Sequence, residues 1–344
     1  MRRELVCLAP SDPPRLQVRL RDKPRPGKGE VLVRVGASSV NPIDAKRAAG
    51  YGRRLLGVKG AADFPCVLGN DVAGFVEALG PGAEDFGLGD RVFGLVATGA
   101  RGGAHTSHVV LPQRQLLRAP AGIELEALAV IPYCFTTMFL AVRSTGLAPS
   151  NAPGRRVLVN GASGGLGQLA LQMLAGWQSH VTAVCSDRHH ATCLALGAQE
   201  VITRGRSGHI EVLPAEFDVV LNFGDWSDDH ALATRLAPRA LGHATTVHPL
   251  MANFDNEGWM NGLRSSLRQW RAMRAVVRGR SPRAAYVWTT FKPDRQALDA
   301  LGAHLQRRRC SLPTGITCSL EDAAEAFEHV SGGRPGRAVL LPRR

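Results

Sequence analysis

The segment Arg155-Arg156-Val157-Leu158-Val159-Asn160-Gly161-Ala162-Ser163-Gly164-Gly165-Leu166-Gly167 constrains the fold more than any other part of the chain. It reads as a buried strand, a glycine turn and a helix that opens on small residues. Glycines in such a turn let the backbone approach a pyrophosphate, and the helix start adds N–H donors and a favourable dipole. The spacing is Gly161-x-x-Gly164-x-x-Gly167, not strict GxGxxG, so a tight turn without ligand is the competing reading. The flanking strand and helix favour a dinucleotide, held by Gly161, Ser163, Gly164, Gly165, Leu166 and Gly167.

The surroundings divide the chain in two. Residues 1–120 hold short apolar runs, such as 31–35, between breakers: Asn41-Pro42, Gly50-Tyr51-Gly52, Phe64-Pro65 and Gly87-Leu88-Gly89-Asp90. That texture predicts a β-rich domain. Strands and helices alternate from near residue 123, as in a parallel sheet with crossover helices. Strands are expected at 157–159, 181–184, 217–221, 244–247, 284–290 and 338–341. Helices are expected at 166–176, 189–196, 263–278 and 294–309. The resulting division is 1–123, completed by 294–344, and 124–293, in a chain of 344 residues.

Cofactor type follows from the end of the second strand, where an Asp or Glu selects NAD by holding the ribose 2′-hydroxyl. The sequence there is Val184-Cys185-Ser186-Asp187-Arg188, and the strand end falls on uncharged Cys185. Ser186 and Arg188 suit a 2′-phosphate, and Arg204 adds a second cation. These residues favour NADPH. Asp187 is the counter-argument, with capping of the next helix as its alternative role.

The chain has 42 basic and 29 acidic residues, a net charge of +13. Twelve basic residues against two acidic ones fall in 264–309. Arg264, Arg268, Arg271, Arg274 and Arg278 step by three and four along one helix side, beside Leu263, Leu267, Trp270 and Val277. The readings are a solvated face, a rim for an anionic ligand, or peripheral membrane contact. Nucleic-acid binding is not expected, because aromatic residues are not interleaved for stacking. Seven cysteines without CxxC pairing predict reduced thiols and no structural zinc. The start, MRRELVCLAP, predicts neither a secretory signal nor a transit peptide, and no membrane-spanning apolar run is evident. The expected location is cytoplasmic.

With the glycine loop after a β-rich half, the chain resembles the medium-chain dehydrogenase/reductase superfamily, in its zinc-free quinone oxidoreductase branch. The resemblance rests on Val40-Asn41-Pro42-Ile43-Asp44, on Phe64-Pro65 through Gly69-Asn70-Asp71-Val72-Ala73-Gly74-Phe75-Val76, on Gly87-Leu88-Gly89-Asp90-Arg91-Val92 and on Gly336-Arg337-Ala338-Val339-Leu340. Ala37 to Asp44, Gly50-Tyr51-Gly52, Gly161-Ala162-Ser163-Gly164-Gly165 and Val181-Thr182-Ala183-Val184-Cys185-Ser186 are similar to its mitochondrial reticulon-interacting NADPH oxidoreductase subgroup. The chain departs from that subgroup at Thr203-Arg204 and at Asn222-Phe223-Gly224-Asp225. The resemblance implies a GroES-like β-rich catalytic domain plus a Rossmann-type doubly wound parallel sheet, an α/β fold assembled as a homodimer.

The superfamily's zinc-ligand positions fall on Asn41, Asn70 and Tyr133, which are poor zinc ligands. No metal is expected. The implied activity is NADPH-dependent, zinc-independent hydride transfer to a quinone or an α,β-unsaturated carbonyl. Reduction of an enoyl thioester and a non-catalytic dinucleotide-binding scaffold are the alternatives. Tyr51 is the candidate proton donor and Tyr133 its competitor. Asn41 is a candidate donor to the substrate carbonyl or the cofactor ribose. Thr137, Asn222 and Arg337 complete the expected cofactor contacts.

Overall fold

The computed structural model describes residues 1–99, 101–205, 209–211, 213–307 and 310–342. Six parallel strands form one sheet in the order Glu200–Arg204, His180–Ser186, Arg156–Asn160, Val219–Asn222, Gly242–Thr245, Ala285–Trp288. The strand first in sequence, Arg156–Asn160, is central: the next two in sequence, His180–Ser186 and Glu200–Arg204, lie on one side of it and the later three on the other. Such a sheet opens a crevice beyond its strand ends where the strand order reverses. Val157, Leu158 and Val159 are wholly buried, as a strand covered on both faces requires.

The second sheet is built on the long strand Glu30–Val40. This strand pairs antiparallel with Asp71–Leu79, His108–Pro112 and Arg337–Leu341. The tail therefore returns to the N-terminal half, bringing Arg337 beside the end of the strand that runs into Asn41. A three-stranded sheet of Arg2–Cys7, Leu16–Arg21 and Cys66–Val67 completes the β-structure. The fold class expected from the sequence is the one observed.

The helix Pro132–Ser144 joins the halves. Phe135 and Met138 sit in one contiguous core with Ala37, Ala73 and Phe93 of the second sheet and Val157 and Val159 of the first. Residues Leu125–Ser144 are long and apolar enough to cross a membrane by composition, contrary to the expectation of no such run. In their most apolar stretch 78% of the residues are buried inside the protein, and they form two helices, Leu125–Leu128 and Pro132–Ser144, the second opening on Pro132.

Three differences bear on the site and its surroundings. The second parallel strand, expected at 181–184 with its end position at Cys185, runs to Ser186, so Asp187 follows it immediately. The helix expected at 263–278 spans Leu250–Arg280, interrupted at Gly258, whose φ of 79° breaks the helical path. The chain folds back there: a Cβ at Gly262 would lie 2.7 Å from the Phe254 Cα. The helix expected at 294–309 spans Arg295–Gln306, with the Asp294 side chain accepting from the Ala297 N–H. Arg308 and Arg309 lie outside the described residues.

Candidate dinucleotide and active site

The glycine loop follows the central parallel strand. The N–H groups of Gly161 and Ala162 both donate to the Val184 carbonyl at 3.1 Å. Gly161 has φ of 76°, and a Cβ there would lie 2.7 Å from the Gly224 nitrogen. A Cβ on Gly167 would lie 2.4 Å from the Gly161 carbonyl oxygen. The turn thus needs glycine for shape and for close approach. The helix Gly165–Gly176 makes its first bond from Gln168 N–H to the Gly164 carbonyl. The N–H groups of Gly165, Leu166 and Gly167 consequently have no partner within the helix, a donor set that favours an anion. Ser163 is half-buried beside them.

Arg337 reaches this helix start from the other sheet. A Cβ on Gly165 would lie 3.2 Å from its Nη1. Its Nη2 donates to Asn41 Oδ1, while its Nε is buried without a partner. One guanidinium therefore lies between the glycine loop and Asn41.

Asn41 is wholly buried at the start of the helix Pro42–Ala48. Its amide donates to Asp71 Oδ2 at 2.7 Å and to Ser39 Oγ at 3.0 Å, and Cys134 Sγ donates to its Oδ1 at 3.7 Å. Asp71 also accepts from Ser39 Oγ at 2.5 Å and from the Tyr133 N–H at 2.6 Å. Burial pushes the Asp71 carboxyl up to about 6 despite these donors, and it pushes the Cys134 thiol up to about 11. Asn70 is turned away, donating to the Val96 carbonyl at 2.8 Å and to Thr98. Tyr133 packs against Phe291, ring centroids 4.5 Å apart, and burial raises its hydroxyl above the ordinary tyrosine range. Thr137 donates to the Tyr133 carbonyl at 2.9 Å. Among the described residues, no cluster of three His, Cys, Asp or Glu side chains has the arrangement to hold a metal ion.

The raised Asp71 carboxyl has a consequence for stability. Its protonated form favours the fold, a contribution complete below the ordinary aspartate range and lost as pH rises through about 6. Asp71→Asn stays neutral throughout. Wild-type stability relative to this variant should therefore fall by about 3 kcal/mol between acid and neutral pH. Urea unfolding of both proteins across that range measures it, and a constant difference would contradict the assignment.

Tyr51 stands apart from this cluster. It is half-buried between Gly50 and Gly52, with Lys46 Nζ 5.6 Å from its ring centre. Burial, then the Asp255 carboxylate, raises its hydroxyl pKa, so it stays protonated at neutral pH. Asp255 fixes the loop, accepting from the N–H groups of Gly52 and of Arg54, the latter at 3.1 Å. The Lys46 ammonium also helps lower the Asp225 carboxyl, whose main cause is the Ser227 N–H.

Ser186 and Arg204 are register partners at the ends of neighbouring parallel strands. Arg204 lies 3.5 Å from Asp228 and 3.7 Å from Asp225. Arg188 and Asp187 are exposed, and Thr203 donates to Asp187 at 3.4 Å. Asn222 uses its side chain within the chain: it donates to Asp229 and the Asp225 carbonyl, and accepts from Asn160 and the Gly224 N–H. Its carbonyl accepts from the Thr246 N–H at 3.1 Å.

The geometry thus groups Asn41, Tyr133, Arg337 and the glycine loop, and separately Ser186, Arg188 and Arg204, with Tyr51 on its own loop. Sequence reasoning did not select Ser39, Asp71, Lys46 or Asp255. Asp71 had a signal, since it directly follows a vacated ligand position. Asp255 had none, because it reaches Gly52 across two hundred residues of chain.

Comparisons with known proteins agree with this architecture. Residues 27–121 match the alcohol dehydrogenase GroES-like domain. The mitochondrial NAD(P)H oxidoreductase RTN4IP1 of Mus musculus is 30% identical over 326 residues, 90% of this chain and 81% of that protein. The Bos taurus form is 33% identical over 68% of this chain, an alignment spanning 62% of its length, less than two thirds. The chloroplastic quinone-oxidoreductase QR1 of Triphysaria versicolor is 33% identical over 52% of this chain and 54% of its own. The structure of the quinone oxidoreductase from Coxiella burnetii superposes with a TM-score of 0.80 at 20% identity, covering 99% of both chains. The expected cytoplasmic location is corrected by the RTN4IP1 relatives, which carry a mitochondrial designation.

Proposed function

The chain belongs to the medium-chain dehydrogenase/reductase superfamily, in the subgroup of the NAD(P)H oxidoreductase RTN4IP1, and from that premise we propose an NADPH-dependent, zinc-independent reductase of quinones or α,β-unsaturated carbonyls. The observation that carries the reading is Arg337, a cation from one sheet set against the anion-binding helix start of the other.

The residues present fit a dinucleotide. Glycines leave the cradle open, three helix N–H groups lack helical partners, and a buried Arg337 nitrogen awaits an acceptor. A bound nicotinamide dinucleotide supplies the hydride. The N–H groups of Gly165, Leu166 and Gly167 and the Arg337 guanidinium bind its diphosphate. Ser186, Arg188 and Arg204 bind the 2′-phosphate. Asn41, held by Asp71, and Thr137 orient the reacting end, and Tyr51 gives its proton to the acceptor oxygen or carbon. The Asn41, Asn70 and Tyr133 side chains are poor zinc ligands, so acceptors already able to delocalise charge are the class that fits. In this reading residues 1–123, completed by 294–344, form the catalytic half, residues 124–293 hold the dinucleotide, and two copies pair as a homodimer.

Steady-state oxidation of NADPH with a para-quinone, an enone and an enoyl thioester tests the assignment. Turnover with the quinone or enone is expected; turnover with the thioester alone, or with none, would overturn it. Arg204→Ala should weaken NADPH about tenfold while leaving NADH unchanged, the loss of one charge-assisted contact. Equal loss for both cofactors would remove Arg204 from the 2′-phosphate site.

A further inference from the structure

The helix Leu250–Arg280 carries a surface that neither the fold nor the proposed chemistry uses. Its first segment packs on the Tyr51 loop through Asp255 and Met251. After the break at Gly258, the second segment buries Gly262, Ser265, Ser266, Met273 and Val277. Asn253 locks the two segments, donating to Ser266 at 3.0 Å and to Gln269 at 2.7 Å. The inward face is thus complete.

The outward face is not an ordinary solvated one. Trp259, Met260, Leu263 and Leu267 are 49%, 68%, 49% and 41% exposed, four of the nine exposed large apolar side chains among the described residues. Met260, Leu263 and Leu267 step by three and four along one stripe. Arg271, Arg274 and Arg278 continue that stripe toward the C-terminus, and Arg264 and Arg268 flank it. Residues 259–283 hold seven arginines and no carboxylate. The two acidic side chains just before them are used internally, Asp255 by the Tyr51 loop and Glu257 by Ser265 at 2.6 Å.

We propose that this helix face docks the protein on an anionic phospholipid surface. An interfacial helix needs apolar side chains that enter the acyl boundary and cations that meet lipid phosphates beside them. Trp259, Met260, Leu263 and Leu267 supply the first, and the arginine stripe supplies the second. The other occupants fit less well. A nucleic acid gives four exposed apolar side chains nothing to bury against. A second copy packed on the same face would set one arginine stripe against another. An acidic protein matches the charge, and the test separates it from lipid.

The full chain is incubated with vesicles of phosphatidylcholine alone, or of equal parts phosphatidylcholine and phosphatidylglycerol, and bound protein is measured by flotation. Binding to the anionic vesicles only, weakened by salt, is expected. Arg264→Gln, Arg268→Gln and Arg271→Gln together should cut partitioning roughly a hundredfold, about fivefold per arginine. The same three changed to Lys keep the charge and should retain binding. Leu263→Ser with Leu267→Ser should lower binding at unchanged thermal midpoint. No binding to either vesicle, equal binding to both, or indifference to the Arg→Gln changes would overturn the proposal. Capture by an acidic polypeptide without vesicle binding, or dimer dissociation by Leu267→Glu without vesicle binding, would assign the face elsewhere and overturn it too.

Discussion

Tyr51→Phe is expected to lower kcat by ~10²–10⁴-fold, the range a positioned proton donor contributes, while leaving NADPH affinity unchanged. The split follows from where Tyr51 lies. Its contacts are to Lys46 and the loop clamped by Asp255, whereas the proposed diphosphate cradle is built by Gly161, Gly165 and Arg337. Removing one oxygen leaves the ring, its packing and the loop intact. The donor role requires the protonated hydroxyl, and burial with the Asp255 carboxylate raises its pKa. The wild-type rate should therefore lose its Tyr51 contribution only as pH rises past the ordinary tyrosine range, about 10. Full activity in the phenylalanine variant would end the assignment. Asp255→Asn should lower the tyrosine pKa, moving that alkaline limb to lower pH.

Gly161→Ala is expected to have the largest effect on the fold and on cofactor binding together. Two costs add at this position. A φ of 76° strains any L side chain by ~1–2 kcal/mol. The new Cβ would also lie 2.7–2.9 Å from the Phe223–Gly224 backbone, so the loops after two parallel strands must separate, roughly another 1–3 kcal/mol. Gly146 provides the control, with φ of 86° and open space around a Cβ; its alanine variant should show only the first cost. Thermal unfolding and dinucleotide titration of both variants give the comparison. Equal midpoints for the two would show that the strand-end loops are not closely fitted, and the cradle argument would lose its basis.

The parts of this molecule written in local sequence were legible. Strand, glycine turn and helix at Arg156–Gly176 follow from periodicity and turn chemistry, and the resemblance placed the β-rich half around them. Boundaries drifted where two signals compete. Ser186 extends its strand because it pairs with Arg204 on the neighbouring strand, a partner chosen by tertiary structure. The helix Leu250–Arg280 was read only from Leu263, since Gly258 and Gly262 weaken helical propensity; both serve a fold-back. Long-range pairings were not legible at all. The place of Asp71 directly after Asn70 marks it as a residue of interest, but not that its carboxylate holds the Asn41 amide and the Tyr133 N–H at once. Nothing near Asn222 announces that its amide closes a buried network with Asp229 and Asn160. The basic segment was legible as charge but not as surface, because exposure of Met260, Leu263 and Leu267 depends on which face the fold-back covers.

The central claim is that the crevice beside the glycine loop takes NADPH. Titrating the purified protein with NADPH and with NADH, followed by nicotinamide fluorescence, tests it most directly. NADPH should bind at least about tenfold tighter, through the 2′-phosphate contacts proposed for Ser186, Arg188 and Arg204. Tighter binding of NADH would assign the strand-end position to Asp187 and contradict the 2′-phosphate reading, and binding of neither would contradict the reductase itself.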